Sequence, residues 1–273
     1  MDNPVALYVV ATPIGNLSDI TLRALEVLKS VDIVACEDTR NTSVLMEKYD
    51  IKTRLISYHK YSENQRLELF LNYLKENRSI ALVSDAGTPL ISDPGNILVK
   101  AVLKEGYKVI PVGGISAVVT LLSAISRQGE DFKFIGFLPK GEKQIQETIS
   151  KNVSENLIFY ESPNRLLQTL IVINKNYPEK KITVGRELTK KFEEIKTGKL
   201  AEIIEYYKNN ILKGEIACLL HKTTAQNIET ESKIRKLKSL GYKDKDISII
   251  LSNLFDVNKN EIYKRSLDII ITQ

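Results

Sequence analysis

The strongest constraint on this 273-residue chain is an alternation in its first 110 residues, where short apolar runs are each followed by a segment of helical periodicity. Runs at 7–10, 31–35, 54–58, 80–83 and 108–110 read as strands, with helices at about 20–29, 42–49 and 62–76 between them. Ser62 with Gln65 three positions on is a capping-box pattern. Asp93-Pro94 reads as the cap of a further helix that Gly106 ends. Strands separated by helices of this length need crossover connections, so a mostly parallel sheet covered on both faces is expected.

The pattern continues after Val112-Gly113-Gly114. Strands are expected at about 132–137, 157–160, 181–186 and 215–220, and helices at 116–125, 142–151, 162–174 and 200–207. The end of the chain differs, reading as three short helices at 233–240, 246–253 and 259–269. The expected organisation is an α/β domain at 1–114, a second α/β domain at 115–228 and a helical tail at 229–273.

Composition removes several function classes. No stretch approaches the roughly 18 apolar residues of a membrane span, and the start lacks the positive region of a signal peptide. Cys36 and Cys218 lie too far apart for a self-contained zinc site, and two histidines leave little for a metal cluster. A cytoplasmic, metal-free protein is expected. Residues 1–110 carry 13 basic against 14 acidic side chains, whereas 111–230 carry 17 against 14 and 231–273 carry 9 against 6. The basic excess lies in the later part, as expected of a surface facing a polyanion or, equally, of a lysine-rich solvated one.

Four polar loops follow predicted strands, at 11–19, 36–40, 84–95 and 112–117, and all but the second contain glycine. Ligands of open parallel sheets bind beyond the carboxyl ends of the strands, so these loops are placed to converge on one crevice. Glycine there lets backbone approach a ligand closely. The common dinucleotide fingerprint, the phosphate-binding GxxxxGK[ST] and the G-x-S-x-G elbow are all absent. Tight turns and helix caps are the plainer reading of any one loop; the length and turn content of 84–95 favour function there. In the second half, Arg165, Arg186 and Lys190 beside strand ends suit phosphate contacts, and Phe137 and Tyr160 suit base stacking or, for Tyr160, a core position. The run 186–194 by itself reads as a solvated face.

Taken together, Thr12-Pro13-Ile14-Gly15-Asn16-Leu17, Glu37-Asp38-Thr39-Arg40, Ser84-Asp85-Ala86-Gly87-Thr88-Pro89 continuing to Ser92-Asp93-Pro94-Gly95, Gly136-Phe137-Leu138-Pro139, Tyr160-Glu161 and Arg186-Glu187-Leu188-Thr189-Lys190 resemble the tetrapyrrole methylase superfamily. Within it they resemble the small-subunit ribosomal RNA (cytidine-2'-O)-methyltransferases, over about 5–270. The resemblance implies two α/β domains of the tetrapyrrole methylase type with a cofactor cleft between them and a short helical C-terminal tail that helps hold RNA. It also implies S-adenosylmethionine as cofactor, a homodimer, and a cytidine 2'-hydroxyl in the decoding region of 16S ribosomal RNA as substrate.

Cofactor contacts carry over to Pro13, Asp85, Gly87, Thr88, Ile91, Ser116, Ala117 and Ala217. Three positions depart from the family pattern: Asn164 stands where histidine is usual, Ile115 where proline is, and Arg127 where glycine is. A ribose hydroxyl is a weak nucleophile until its proton leaves, so a proton acceptor and positive groups are needed. Glu37 or Glu187 is the expected acceptor, with Arg40 and Lys190 holding phosphate or developing charge. Two other readings stay open on the residues: a superfamily methyltransferase acting on a tetrapyrrole or other small substrate, and a ribosomal RNA-binding protein without turnover.

Overall fold

A computed structural model describes residues 4–59, 63–210, 212–222, 225–255 and 258–269. Ser62, the expected capping serine, lies outside them. The first half runs β1 (Ala6–Val10), α1 (Leu22–Ser30), β2 (Ile33–Cys36), α2 (Thr39–Lys48), β3 (Arg54–Ser57), α3 (Glu63–Lys75), β4 (Ile80–Val83), α4 (Asn96–Lys104) and β5 (Lys108–Val112). The five strands form one parallel sheet in the order β3-β2-β4-β1-β5. Ala6, Tyr8, Val10 and Val34 pack on one face against Ala24 and Leu28 of α1 and Leu45 of α2. Leu7, Ile33 and Leu82 pack on the other against Phe70 and Leu74 of α3 and Leu98 and Val102 of α4. Burial on both faces is why these strands read as unbroken apolar runs.

The second half contains α5 (Ala117–Ser123), β6 (Lys133–Phe137), α6 (Glu142–Lys151), β7 (Leu157–Glu161), α7 (Pro163–Asn176), β8 (Lys181–Arg186), β9 (Glu194–Lys199), α8 (Leu200–Lys208) and β10 (Ile216–Leu220). Its sheet order is β6-β7-β10-β8-β9, with β6 and β7 parallel and the other pairings antiparallel. Helices α6, α7 and α8 cover one face through Ile149, Leu166, Leu170 and Ile203. The other face packs Ile158, Ala217 and Leu219 against Val118 and Leu121 of α5, together with Ile14 from the first half. The tail forms α9 (Ala225–Ser239), α10 (Asp244–Phe255) and α11 (Lys259–Asp268) around Ile234, Ile247, Leu251 and Ile262.

Three elements differ from expectation. Strand β9 begins at the end of the run that reads as a solvated face; it is an edge strand paired only with β8, its charged residues are half-buried against partners such as Arg186, Tyr206 and Glu179, and its apolar alternation is weak. Helix α9 starts well before residue 233. Asp93-Pro94 does not cap α4: the cap is Gly95, and residues 91–94 form bends ahead of it. Leu90 and Ser92 take left-handed φ values of 71° and 74°, which turn the chain away from a helical start.

Gly95 has φ +130°, and a Cβ there would stand 2.8 Å from Leu82 Cδ2. Gly106 has φ +80°, with nothing within 4 Å of a Cβ. Gly106→Ala therefore meets backbone strain alone, about 1–2 kcal/mol, whereas Gly95→Ala adds overpacking of at least about 1 kcal/mol more. Urea unfolding of the two variants should show that order; equal losses would mean the Leu82 contact relaxes freely.

Candidate active site

In the parallel sheet, β1 and β4 are neighbours, but the chain leaves β1 toward β2 on one side and β4 toward β5 on the other. The loops following these strands therefore diverge and open a crevice at their carboxyl ends. Paired backbone hydrogen bonds join them: the Thr12 N–H donates to the Gly87 carbonyl (2.8 Å) and the Gly87 N–H to the Thr12 carbonyl (3.0 Å). The Thr12 hydroxyl adds a bond to the Ser84 carbonyl at 3.1 Å. Gly87 sits at φ +72°, a conformation glycine adopts without penalty.

The second half closes the crevice into a cleft of about 350 Å³, within the roughly 300–1,000 Å³ of small-molecule sites. Ile14, Ala86, Gly87, Thr88, Ile91, Ser92 and Asp93 line it from the first half, Ser116 and Ala117 from the start of α5, and Phe137, Tyr160–Pro163, Leu188 and Gly214–Ala217 from the second sheet and its loops. Of the expected cofactor contacts, Gly87, Thr88, Ile91, Ser116, Ala117 and Ala217 are brought together here. Pro13 and Asp85 stand next to the walls, since Ile14 and Ala86 provide the lining at those points. Asn164 is exposed and outside the lining, so the departure from histidine leaves the cleft walls unchanged.

The loop at 36–40 contributes charge to the site rather than wall. Asp85 accepts from the Asp38 N–H (3.1 Å) and from Asn41 Nδ2 (3.0 Å), which pins that loop beside the first. Arg40 is almost fully exposed and paired with Asp38 at 2.6 Å. Glu37 has its carboxyl raised by burial and then by the negative charge of Asp85. On the opposite side, Lys190 Nζ lies 2.8 Å from Glu187 and 3.1 Å from Glu215. Glu187 also accepts the Glu215 N–H at 3.0 Å. Burial pushes the Glu187 carboxyl up, but the Lys190 and Glu215 donors outweigh it, so it titrates below its ordinary value. The four expected catalytic residues thus divide into two groups, Glu37 with Arg40 and Glu187 with Lys190. Arg165 and Arg186, which suit phosphate contacts by sequence, are occupied within the fold: Arg165 donates to the Leu138 and Pro139 carbonyls and pairs with Glu161, and Arg186 pairs with Glu194.

Sequence reasoning missed several lining residues, above all Asp93 and Glu215. Asp93 has its carboxyl raised to about 6 by burial, then by the charge of Glu37, with Asp85 and Glu215 adding to it and the Ser84 hydroxyl opposing. Tyr160 is half-buried between the Phe134 and Phe137 rings, at centroid distances of 4.9 and 5.7 Å, so it is both core and wall. Phe137 is 56% exposed and Ile91 46% exposed at this cleft. The signal for Asp93 lay in the long 84–95 loop, where an Asp-Pro pair reads as a helix cap.

These walls fit S-adenosylmethionine. Ile14, Leu188, Ile216 and Ala217 offer an apolar slot for a flat base, and the cleft holds Asp93, which makes no ion pair among the described residues, opposite a cofactor that carries positive charge. Among the described residues, no group of three or more His, Cys, Asp or Glu is arranged to hold a metal ion, and no helix is long and apolar enough to cross a membrane.

Two α/β sheets enclosing such a cleft define a class. Residues 6–204 match the family model described as Tetrapyrrole (Corrin/Porphyrin) Methylases, and a solved diphthine synthase superposes with TM-score 0.65 at 14% identity, covering 82% of this chain and 92% of that one. The ribosomal RNA small subunit methyltransferase I of Halalkalibacterium halodurans is 40% identical over 96% of this chain and 94% of its own length. That of Mesorhizobium japonicum is 44% identical over 86% and 81%. The chain belongs to the tetrapyrrole methylases and, within them, to the ribosomal RNA small subunit methyltransferase I family.

Removing the cation of the Lys190 clamp leaves two carboxylates facing each other. Lys190→Met should cost about 1 kcal/mol of stability at pH 7. Glu187 titrates below its ordinary value when folded, so the clamp's contribution is present above the unfolded carboxylate pKa and is lost as pH falls through the lowered folded one. Urea melts should therefore show the difference shrinking below about pH 4; a loss that stays the same well below pH 4 as at pH 7 would show that the clamp is not electrostatic.

Proposed function

We propose that the protein transfers a methyl group from S-adenosylmethionine to the ribose 2'-hydroxyl of a cytidine in the decoding region of 16S ribosomal RNA. The observation that carries the reading is the cleft itself, an apolar slot with an unneutralised carboxylate, in a chain 40% identical to a small-subunit ribosomal RNA methyltransferase along nearly its whole length. When bound, S-adenosylmethionine supplies an electrophilic methyl on a sulfonium centre. The protein's own tasks are to orient that methyl, align the hydroxyl with it and manage one proton. Gly87, Thr88, Ile91, Ser116, Ala117 and Ala217 hold the cofactor from the walls, with Pro13 and Asp85 supporting them from behind.

Glu37, Arg40, Glu187 and Lys190 surround the place where RNA would enter. Lys190 is a fixed cation for a phosphate or a developing oxyanion, and Glu187 positions it. Arg40, exposed at the start of α2, suits a backbone phosphate. Phe137, exposed and edge-on to Tyr160, suits stacking on the target base. The tail at 229–273 suits further RNA contact, because Lys238, Lys243 and Lys245 share a groove with Tyr242 and Tyr263. The protein works in the cytoplasm, where its ribosomal substrate is. A homodimer, which the family resemblance implies, belongs to the same reading.

The test is methyl transfer from labelled S-adenosylmethionine to small ribosomal subunits lacking native methylation, with the product nucleoside identified by mass. A single 2'-O-methylcytidine is the expected result; methylation of a base, or of a tetrapyrrole and not the subunit, overturns the reading. Gly87→Val should weaken cofactor binding at least about tenfold, since a β-branched residue resists a left-handed φ and would crowd the cleft. Calorimetric titration showing unchanged affinity would remove that loop from the cofactor site.

A further inference from the structure

Three carboxylates line the cleft, and two of them are committed elsewhere. Glu161 is buried, accepts from Thr169 Oγ1 (2.8 Å) and the Ser162 N–H (2.8 Å), and pairs with Arg165 (3.3 Å). Glu215 pairs with Lys190. Just outside the walls, Glu187 is held by Lys190 and Asp85 by the Asp38 N–H and Asn41. Asp93 alone among the lining carboxylates has no ion pair among the described residues. It stands on the loop that Thr12 and Gly87 anchor, one residue beyond the left-handed Ser92. Its surroundings are Glu37 from the loop after β2, Asp85 and Ser84 from the loop after β4, Glu215 before β10 and the Tyr160 phenol from β7.

Resting on the reading above, we propose that Asp93 is the proton acceptor for the ribose 2'-hydroxyl. In the transfer step the 2'-oxygen–methyl bond forms as the sulfur–methyl bond breaks and its electron pair returns to sulfur. The hydroxyl proton passes to an Asp93 carboxylate oxygen. The acceptor must be ionised near neutral pH and yet basic enough to take the proton, which a carboxylate raised to about 6 satisfies. Glu187, pulled below its ordinary value by Lys190, is the weaker base of the two. Glu37 is raised as well but lies outside the cleft walls, where its charge sustains the basicity of Asp93.

Asp93→Asn should lower kcat on small ribosomal subunits by about 100-fold or more, with cofactor affinity changed only a few-fold. The wild-type kcat/KM should rise with pH along a limb near 6, and kcat along a limb displaced below it because the bound cation favours the ionised carboxylate; both limbs should vanish in Asp93→Asn and return, displaced, in Asp93→Glu. A readout independent of turnover is the proton released on S-adenosylmethionine binding at pH 6, measured by calorimetry in buffers of different ionisation enthalpy. A bound cation favours the ionised carboxylate, so the wild type should release a fraction of a proton that Asp93→Asn does not. An active wild type beside an equally active Asp93→Asn, or a pH limb that survives in Asp93→Asn and vanishes in Glu37→Gln, overturns the assignment while leaving the methyltransferase reading intact. A wild type that methylates base atoms and no ribose ends both. Should Asp93→Asn not fold, Asp93→Glu decides: an unshifted limb overturns the proposal.

Discussion

The pair of hydrogen bonds between Thr12 and Gly87 ties together two loops that the sheet topology drives apart. Strands β1 and β4 are neighbours, and the chain turns in opposite directions after them, so a crevice is unavoidable. What is not dictated is its width. Two short bonds, reinforced by the Thr12 hydroxyl on the Ser84 carbonyl, set the separation of Ile14 from the 86–93 segment. Ile14 then reaches across to the core around Leu121 and Ala217, so the same bridge also fixes how the second sheet meets the first. Cofactor walls from both halves depend on this one contact.

Charge is sorted across that junction. The first 110 residues are close to neutral, whereas the rest carries the basic excess. Inside the cleft the carboxylates are divided by partner: Arg165 neutralises Glu161, Lys190 holds Glu187 and Glu215, and Asp93 has the Ser84 hydroxyl, the Tyr160 phenol and other acids around it but no ion pair among the described residues. An unpaired, partly buried carboxylate is costly to keep ionised. A positively charged ligand removes that cost, so the cleft is electrostatically incomplete until one binds, and the binding selects for cations without needing a metal or a deep pocket.

Much of this was legible in the sequence because it follows from local pattern. Two-sided burial makes parallel strands into apolar runs such as Ile33–Cys36, and the spacing of Leu25 and Leu28 announces α1. The long 84–95 loop stood out by its turn residues, and it does line the cleft. What stayed hidden depends on contacts between distant segments. Glu194–Lys199 pairs on one edge only, so its charges mask a strand that β8 and the α8 tyrosines holding Glu194 stabilise. Asp93 looked like a helix cap because Asp-Pro commonly is one; the left-handed Ser92 and Gly95 send it into the cleft instead. The pairing of Lys190 with Glu215, 25 positions on, has no local signature at all.

Backbone strain marks the same two walls. Leu90 and Ser92 on one side and Glu187 and Thr189 on the other all sit at left-handed φ, where glycine would be cheaper. Three of these four side chains have work that glycine lacks the atoms for. Leu90 packs against the first core, Thr189 accepts the Asn16 N–H at 3.1 Å, and Glu187 clamps Lys190. Gly214 shows how tight the second wall is, since a Cβ there would overlap the Glu187 carboxylate. Strained positions of this kind persist only where surrounding contacts over-determine them. The two loops are therefore stiff rather than adaptable, and a stiff cleft suits a reaction whose rate depends on aligning one methyl with one hydroxyl.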